Sequence, residues 1–312
     1  MIGEATLADA ILDRIVHNAH RITNALDRRR NRRNQSLLTA TRQAEFDRTR
    51  CPRLSETRVR ELLKWLSRFT EIRSLTLEKN IRRLASVPLL FEPGTAWNYS
   101  LSIDVVGAVI EKVTGASLVE AVQALVTQPL NLADTGFTVN DPERLAIAYA
   151  DSQRRPRRME EDDLIPTMPG LGEVAMSPAR TFDKDAFPSG GAGMVGTAGD
   201  TVRLLETLRL GGEPILSSES VRDMSSNQIG ALPVVGWPGW GHGLDFSVLL
   251  DPTIAGTPES EGTWRWGGAY GRSWFADPSE ELTVVAFTNT AFEGMSGGGR
   301  FPQDTCRAIY SR

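Results

Sequence analysis

Cysteine and histidine are scarce in this chain: 312 residues hold only Cys51 and Cys306, and only His17, His20 and His242. Two cysteines make no disulfide framework, and the histidines have no zinc-ligand spacing, so neither a metal nor any other cofactor is expected. Long apolar runs are missing as well. No stretch of eighteen apolar residues occurs, and Asp9 and Asp13 interrupt the apolar stripe of the first thirty residues, which excludes a signal-peptide core and a membrane-spanning helix. The chain is expected to stay in the cytoplasm. Lysine is also rare, with only Lys64, Lys79, Lys112 and Lys184.

What is present suits a folded domain, with 40% apolar and 24% charged residues. The charge is unevenly spread. Up to Leu90 there are 19 Lys+Arg against 10 Asp+Glu, although the net charge of the whole is -4. Leu7, Ile11, Leu12, Ile15, Val16, Ala19 and Ile22 repeat at helical spacing and predict an amphipathic helix over about 7–26. The run Asp27–Gln35 is basic without aromatics, and residues 27–74 read as poorly ordered or loosely helical, with helical spacing again over 56–69.

From Leu75 the pattern changes. A helix ended by Pro88 precedes the Pro93-Gly94 turn. A second carries Ile103, Val106, Val109, Ile110 and Val113 on one face and stops at Thr114-Gly115. Ser117 with Glu120 marks a capping box, and Thr197 caps a helix over 200–209. Residues 131–186 read as loop-rich. In the last third, "HGLDFSVLLD", "TWRWGGAYGRSWFADP" and "ELTVVAFTNT" predict three antiparallel strands, and "DTCRAIYSR" a short final helix. The fold class expected is α+β, an antiparallel sheet flanked by helices plus a helical subdomain.

Three motifs have a mundane alternative. Gly191–Gly196 fits G-x-G-x-x-G, but no strand precedes it, which favours a tight turn into a helix over a nucleotide site. Gly294–Gly298 fits G-x-S-x-G around Ser296, yet no histidine follows it to complete a triad in the required chain order. The arginines at 28–33 could neutralise phosphates, but without aromatics or a reading helix they argue against a nucleic-acid partner. His242, in "GWGHGLDF", is either a base or a polar strand end, and position favours the latter.

"FEPGTAWNYSLSIDVVGAVIEKVTG" resembles the tyrosine box of the serine β-lactamase and penicillin-binding protein superfamily, particularly its esterase branch. "QPLNLADTGF", "SGGAGMVGTAGDTVRLLETLRLGG", "GTWRWGGAYGRSWFADP" and "VVAFTNTAFEGMSG" continue the likeness in the same order, over about 75–312. The resemblance implies a β-lactamase-like fold and hydrolysis of small acyl esters through an acyl-enzyme. Tyr99 would be the acid–base phenol, Trp266-Gly267-Gly268 the strand lining the substrate, and the amide of Ala269 an oxyanion donor. Leu101 and Trp266 stand where β-lactamases carry Asn and Lys, which implies an ester pocket.

The family's Ser-x-x-Lys box has no counterpart. Glu61, Thr76, Val109 and Thr181 stand three residues before the four lysines. The nearest substitutes are Thr76 with Lys79, and Ser55 with Arg58, whose guanidinium releases no proton. Ala5–Ile22 resembles the last helix of IstB-type insertion-sequence helper ATPases, but the chain has no G-x-x-x-x-G-K-[ST] loop to bind ATP. Three segments are therefore expected: 1–26 of unrelated origin, 27–74 basic, and 75–312 β-lactamase-related, with the front of that fold missing. The function expected is an impaired serine hydrolase. The alternatives are a non-catalytic acyl or peptide binder and a nucleic-acid-associated product of a mobile element.

Overall fold

Capping signals set the local structure where the described chain begins. The computed structural model describes residues 76–85, 91, 94–150, 155–166, 173–234 and 236–311. The helices expected over 7–26 and 56–69 and the basic segment 27–74 lie outside the described residues, as does the IstB-like stretch. The Thr76 hydroxyl accepts the Lys79 amide at 3.3 Å and opens α1, Leu77–Leu84, satisfying one of the orphan amides of a first turn. Helix α2, Ser102–Thr114, stops at Gly115, whose φ of +69° costs glycine nothing and lets its amide return to Glu111. Ser117 and Glu120 form the expected capping box for α3, Leu118–Val122, which runs on through a wider turn, Gln123–Thr127.

The buried face of α2 differs from its apolar stripe. Asp104, Gly107 and Ile110 are buried, while Val109 and Val113 are 41% and 53% exposed. Gly107 explains the rotation. A Cβ there would lie 3.1 Å from Leu118 and 3.6 Å from the Gly190 amide, so the helix approaches its neighbours on the side that has no side chain.

The stretch expected to be loop-rich contains two short hairpins. Strand β1, Tyr149–Ala150, pairs with β2, Arg157–Arg158, and β3, Asp163–Pro166, pairs with β4, Glu173–Met176. Strands of two and four residues are too short to display a period in sequence. Helix α4, Ala198–Arg209, starts where the Thr197 hydroxyl accepts the Asp200 amide at 3.1 Å. Helix α5 is Ser218–Met224.

The last third forms one antiparallel sheet of five strands in chain order: β5, Trp240–His242; β6, Ser247–Leu249; β7, Trp264–Gly268; β8, Arg272–Asp277; and β9, Leu282–Phe287. Between β6 and β7 lies α6, Pro252–Ala255, and α7, Arg300–Tyr310, closes the chain. The segment read as one strand across 263–278 is instead a hairpin, paired from Trp264 with Ala276 to Gly268 with Arg272. Gly271, at φ +97°, makes its turn.

Trp264, Trp266, Trp274 and Phe246 share one buried cluster with Ile110 and Leu118 and with Leu204, Leu205 and Leu208 of α4. Among the described residues, helices α2 to α5 thus pack into one core with the sheet. Burying each of these large side chains contributes about 2–3 kcal/mol. Asp277, at the end of β8, ties down α7 by accepting the Tyr310 hydroxyl at 2.6 Å, and it also takes the amides of Ser260, Ser279 and Glu280. Burial by itself would raise its carboxyl pKa, but these hydrogen bonds outweigh it and hold the group below the usual carboxylate value.

Gly267 is fixed by crowding. A Cβ there would meet the Gly294 carbonyl oxygen at 1.9 Å and that of Arg272 at 2.2 Å. Gly267→Ala is expected to lower unfolding free energy by about 3 kcal/mol, the upper range of overpacking. Gly115→Ala, with open space around it, is expected to lose only about 1 kcal/mol, through its positive φ. Chemical denaturation of both variants measures the difference, and equal losses would contradict the crowding.

Candidate active site

Two segments meet at the candidate site, the loop leading into α2 and the end of β7. Tyr99 lies two residues before Leu101, the N-cap of α2, and is 48% exposed. Its ring lies 5.6 Å from that of Trp266, which is only 4% exposed. The tyrosine therefore leans on the strand tryptophan, with the phenol at the surface of a buried indole.

The start of α2 is held from below. Asp104, buried in its first turn, accepts the Ser189 hydroxyl at 2.5 Å and the Gly191 amide at 3.3 Å. Burial holds its carboxyl pKa above the usual carboxylate value, a rise that those two bonds and the charge of Arg180 offset only in part. Arg180 donates to the Phe187 carbonyl, its guanidinium lies 4.5 Å from the centre of the Phe187 ring, and burial lowers its own pKa. A Cβ on Gly190 would come within 2.3 Å of the Ile103 carbonyl oxygen. The Gly191–Gly196 motif thus belongs to a loop pressed against a helix start, with Gly193 at φ +90°, in keeping with a tight turn.

The strand side follows from where β6 begins. Ser247, opposite Arg265, is the first residue of β6 and the limit of its pairing with β7, because residues 243–246 lead into it from β5 through a turn closed by the Gly243 amide and Phe246 carbonyl at 2.8 Å. Trp266, Gly267 and Gly268 keep their β8 partners but have no ladder partner on the β6 side among the described residues. Next comes the turn at Ala269, whose carbonyl accepts the Phe292 amide at 2.8 Å. The two glycines serve the chain itself. The Gly294 carbonyl occupies the side-chain space of Gly267, and the Arg272 guanidinium, 1% exposed, occupies that of Gly268.

His242, read from sequence as a strand end, does end β5, and the tertiary structure also brings it to this site. Its ring lies 5.4 Å from Trp266, edge to face, and 5.0 Å from Trp97. Nδ1 lies 2.9 Å from the Gly243 carbonyl oxygen. A carbonyl only accepts, so Nδ1 carries the proton of the neutral ring and Nε2 is left as an acceptor. Burial lowers the imidazole pKa, opposed by that hydrogen bond. The only signal in sequence was an imidazole at a strand end flanked by glycines, which does not say what it faces.

The candidate nucleophiles among the described residues are placed elsewhere. Among the described residues Lys79, Lys112 and Lys184 are all exposed. The hydroxyl of Thr76 caps α1, and Ser55 lies outside the described residues. Ser296 sits at φ +54° in the turn Met295–Gly297. That turn packs on Arg265 and Gly267, whose side-chain directions are opposite to that of Trp266 on the pleated strand. Ser296 and Tyr99 therefore lie on opposite faces of β7.

A helix-flanked antiparallel sheet with a tyrosine loop set against the unpaired margin of an inner strand defines a β-lactamase-like scaffold. The Beta-lactamase family model matches residues 51–307, and the chain belongs to that family. Esterase EstB of Burkholderia gladioli is 48% identical over 229 residues, 73% of this chain and 58% of EstB. EstCE1, described as a hydrolase with promiscuous acyltransferase activity, superposes with a TM-score of 0.73 at 46% identity, covering 77% of this chain and 62% of that one. Simvastatin synthase LovD from Aspergillus terreus, at 18% identity and a TM-score of 0.58, shares the fold, with coverage of 75% and 61%. The chain thus spans less than two thirds of these relatives. The family match starts at residue 51 and does not reach the IstB-like stretch.

Two expectations follow. Asp104→Ala leaves the Ser189 hydroxyl, the Gly191 amide and Arg180 without their anion and is expected to cost about 3 kcal/mol by chemical denaturation. Asp104→Asn, which keeps an acceptor oxygen, should lose less. For His242 the folded pKa lies below its unfolded value of 6.5, so the unfolded chain binds the proton first. Its contribution to stability is complete above pH 6.5 and is lost as pH falls through the lowered value. Melting temperatures between pH 7.5 and 5 should fall less in His242→Phe than in the unsubstituted protein, and parallel curves would contradict the assignment.

Proposed function

We propose that this chain handles small acyl esters as a member of the esterase branch of its family, and that its catalytic power is impaired because its 312 residues contain no Ser-x-x-Lys pair. One observation carries the reading, the contact of Tyr99 with Trp266 beside the unpaired strand margin. The identities with EstB and EstCE1 add support. In this reading the phenol of Tyr99 is the acid–base group, the amide of Ala269 donates to the ester carbonyl oxygen, and Leu101 and Trp266 provide apolar walls. Gly267 and Gly268 shape the strand margin.

A free phenol, with a pKa near 10, moves protons at neutral pH only beside a cation. A serine hydroxyl and a neighbouring amine normally complete that arrangement. In this reading residues 1–26 are of other origin, the β-lactamase-related unit begins within the basic segment 27–74, since the family match starts at residue 51 and not at 75, and the protein is in the cytoplasm. No helix among the described residues is long and apolar enough to cross a membrane.

Hydrolysis of p-nitrophenyl acetate and of nitrocefin, compared with EstB under the same conditions, tests the proposal. The expected rate is lower by about three orders of magnitude or more, the scale of losing a member of a covalent catalytic unit. Short acyl esters are still expected to raise the melting temperature. Stoichiometric labelling of a serine by a fluorophosphonate would remove the claim of impairment, and a melting temperature indifferent to every ester would remove ester handling itself.

A further inference from the structure

The imidazole of His242 is oriented by its Nδ1 hydrogen bond and by two indoles, and its backbone is pinned as well. Its backbone amide faces the Asn227 side-chain oxygen at 3.4 Å, and its carbonyl accepts the Gln228 amide at 2.8 Å. Gly243, whose carbonyl accepts the Nδ1–H bond, is packed against the next segment so closely that a Cβ there would lie 2.2 Å from the Met224 carbonyl oxygen. Trp97 and Trp266 flank the ring. Nε2, by contrast, has no hydrogen-bond partner among the described residues. A half-buried acceptor in a fixed orientation, bordered by indoles and next to the ring that supports Tyr99, is a recognition element awaiting a donor.

We propose that Nε2 of His242 is a specificity-determining acceptor that receives a hydroxyl of the bound ester, so that the site selects hydroxyl-bearing acyl esters over plain alkyl esters. This rests on the ester-handling reading above. The chemistry of the surroundings limits the ligand class. Nε2 has a lone pair and no proton, so the ligand group facing it must donate, and the indoles on either side favour a neutral, largely apolar body around that donor. A carboxylate ligand would face the neutral ring acceptor to acceptor, and binding it would require protonating an imidazole whose pKa burial lowers. A site that offers a hydrogen bond to a substrate hydroxyl discriminates against the analogue lacking it, because an ester body that covers Nε2 without donating to it removes the acceptor from water and returns nothing.

Ethyl 3-hydroxybutyrate and ethyl butyrate form a matched pair that differs by the one hydroxyl. The unsubstituted protein is expected to bind the hydroxy ester about fivefold more tightly in a thermal-shift titration, the value of one neutral hydrogen bond. His242→Phe, which keeps an aromatic ring between Trp97 and Trp266, should reduce that preference to none. With three histidines in the chain, the ¹⁵N imidazole spectrum is sparse. The resonance missing in the variant identifies His242, and its Nε2 signal should move on adding the hydroxy ester and stay in place with ethyl butyrate. Equal affinity for the two esters, or an unmoved Nε2 signal while the hydroxy ester binds, would overturn the proposal and leave ester handling intact. A preference that survives in His242→Phe would also overturn it. Binding of neither ester would overturn both. If His242→Phe does not fold, a variant carrying His17→Gln and His20→Gln, in which His242 is the one imidazole left, assigns the resonance, and its response to the two esters decides the question.

Discussion

Backbone lying directly on backbone is the constraint from which the candidate site takes its shape. Tyr99 and Trp266 come from segments far apart in sequence, and each is positioned by a contact that one methyl group would prevent. On the tyrosine side, Gly190 lets its loop lie against the Ile103 carbonyl at the start of α2. On the strand side, Gly267 admits the Gly294 carbonyl, which seats the 294–297 turn under β7. Close-packed interiors transmit such displacements, so a Cβ at either place shifts a ring on which the site depends.

The polar groups under this framework are costly to bury and therefore specific in their demands. Asp104 is held in a dry place where its charge is disfavoured, and it is tolerated because Ser189, Gly191 and Arg180 all address it. Arg180 incurs the same penalty from its own side. Such a group adds little net stability but penalises every arrangement in which the Gly-rich loop and the helix start are out of register. Asp277 plays a comparable part at the far end of the sheet, where Tyr310 and three amides converge on one carboxylate.

Much of the local structure was legible in the chain. The Gly115 stop, the Ser117–Glu120 box and the Thr197 cap appear where the residue types placed them, because caps are decided within a turn by side-chain hydroxyls and by the freedom of glycine. The α+β class followed from the change of pattern along the chain, and the family boxes pointed to Tyr99 and Trp266. Other features escaped. Val109 and Val113 looked like core residues and lie at the surface, since Gly107 decides which side of α2 is approached. The hairpin within 263–278 was hidden because both of its strands are apolar and one glycine makes the turn. The short strands β1 to β4 are below the length at which alternation can be recognised.

Sequence alone determined the caps, the change from helix to strand, the family and the lack of a Ser-x-x-Lys pair, all of which depend on residue type and short spacing. Tertiary structure decided that Tyr99 rests on Trp266, that Gly267 and Gly268 make room for the protein's own chain, that Ser296 faces away, and that His242 points its ring into the same aromatic group. These are relations between residues separated by many positions. They depend on where β6 begins, at Ser247, and on three-dimensional crowding at individual glycines, and no local pattern encodes either.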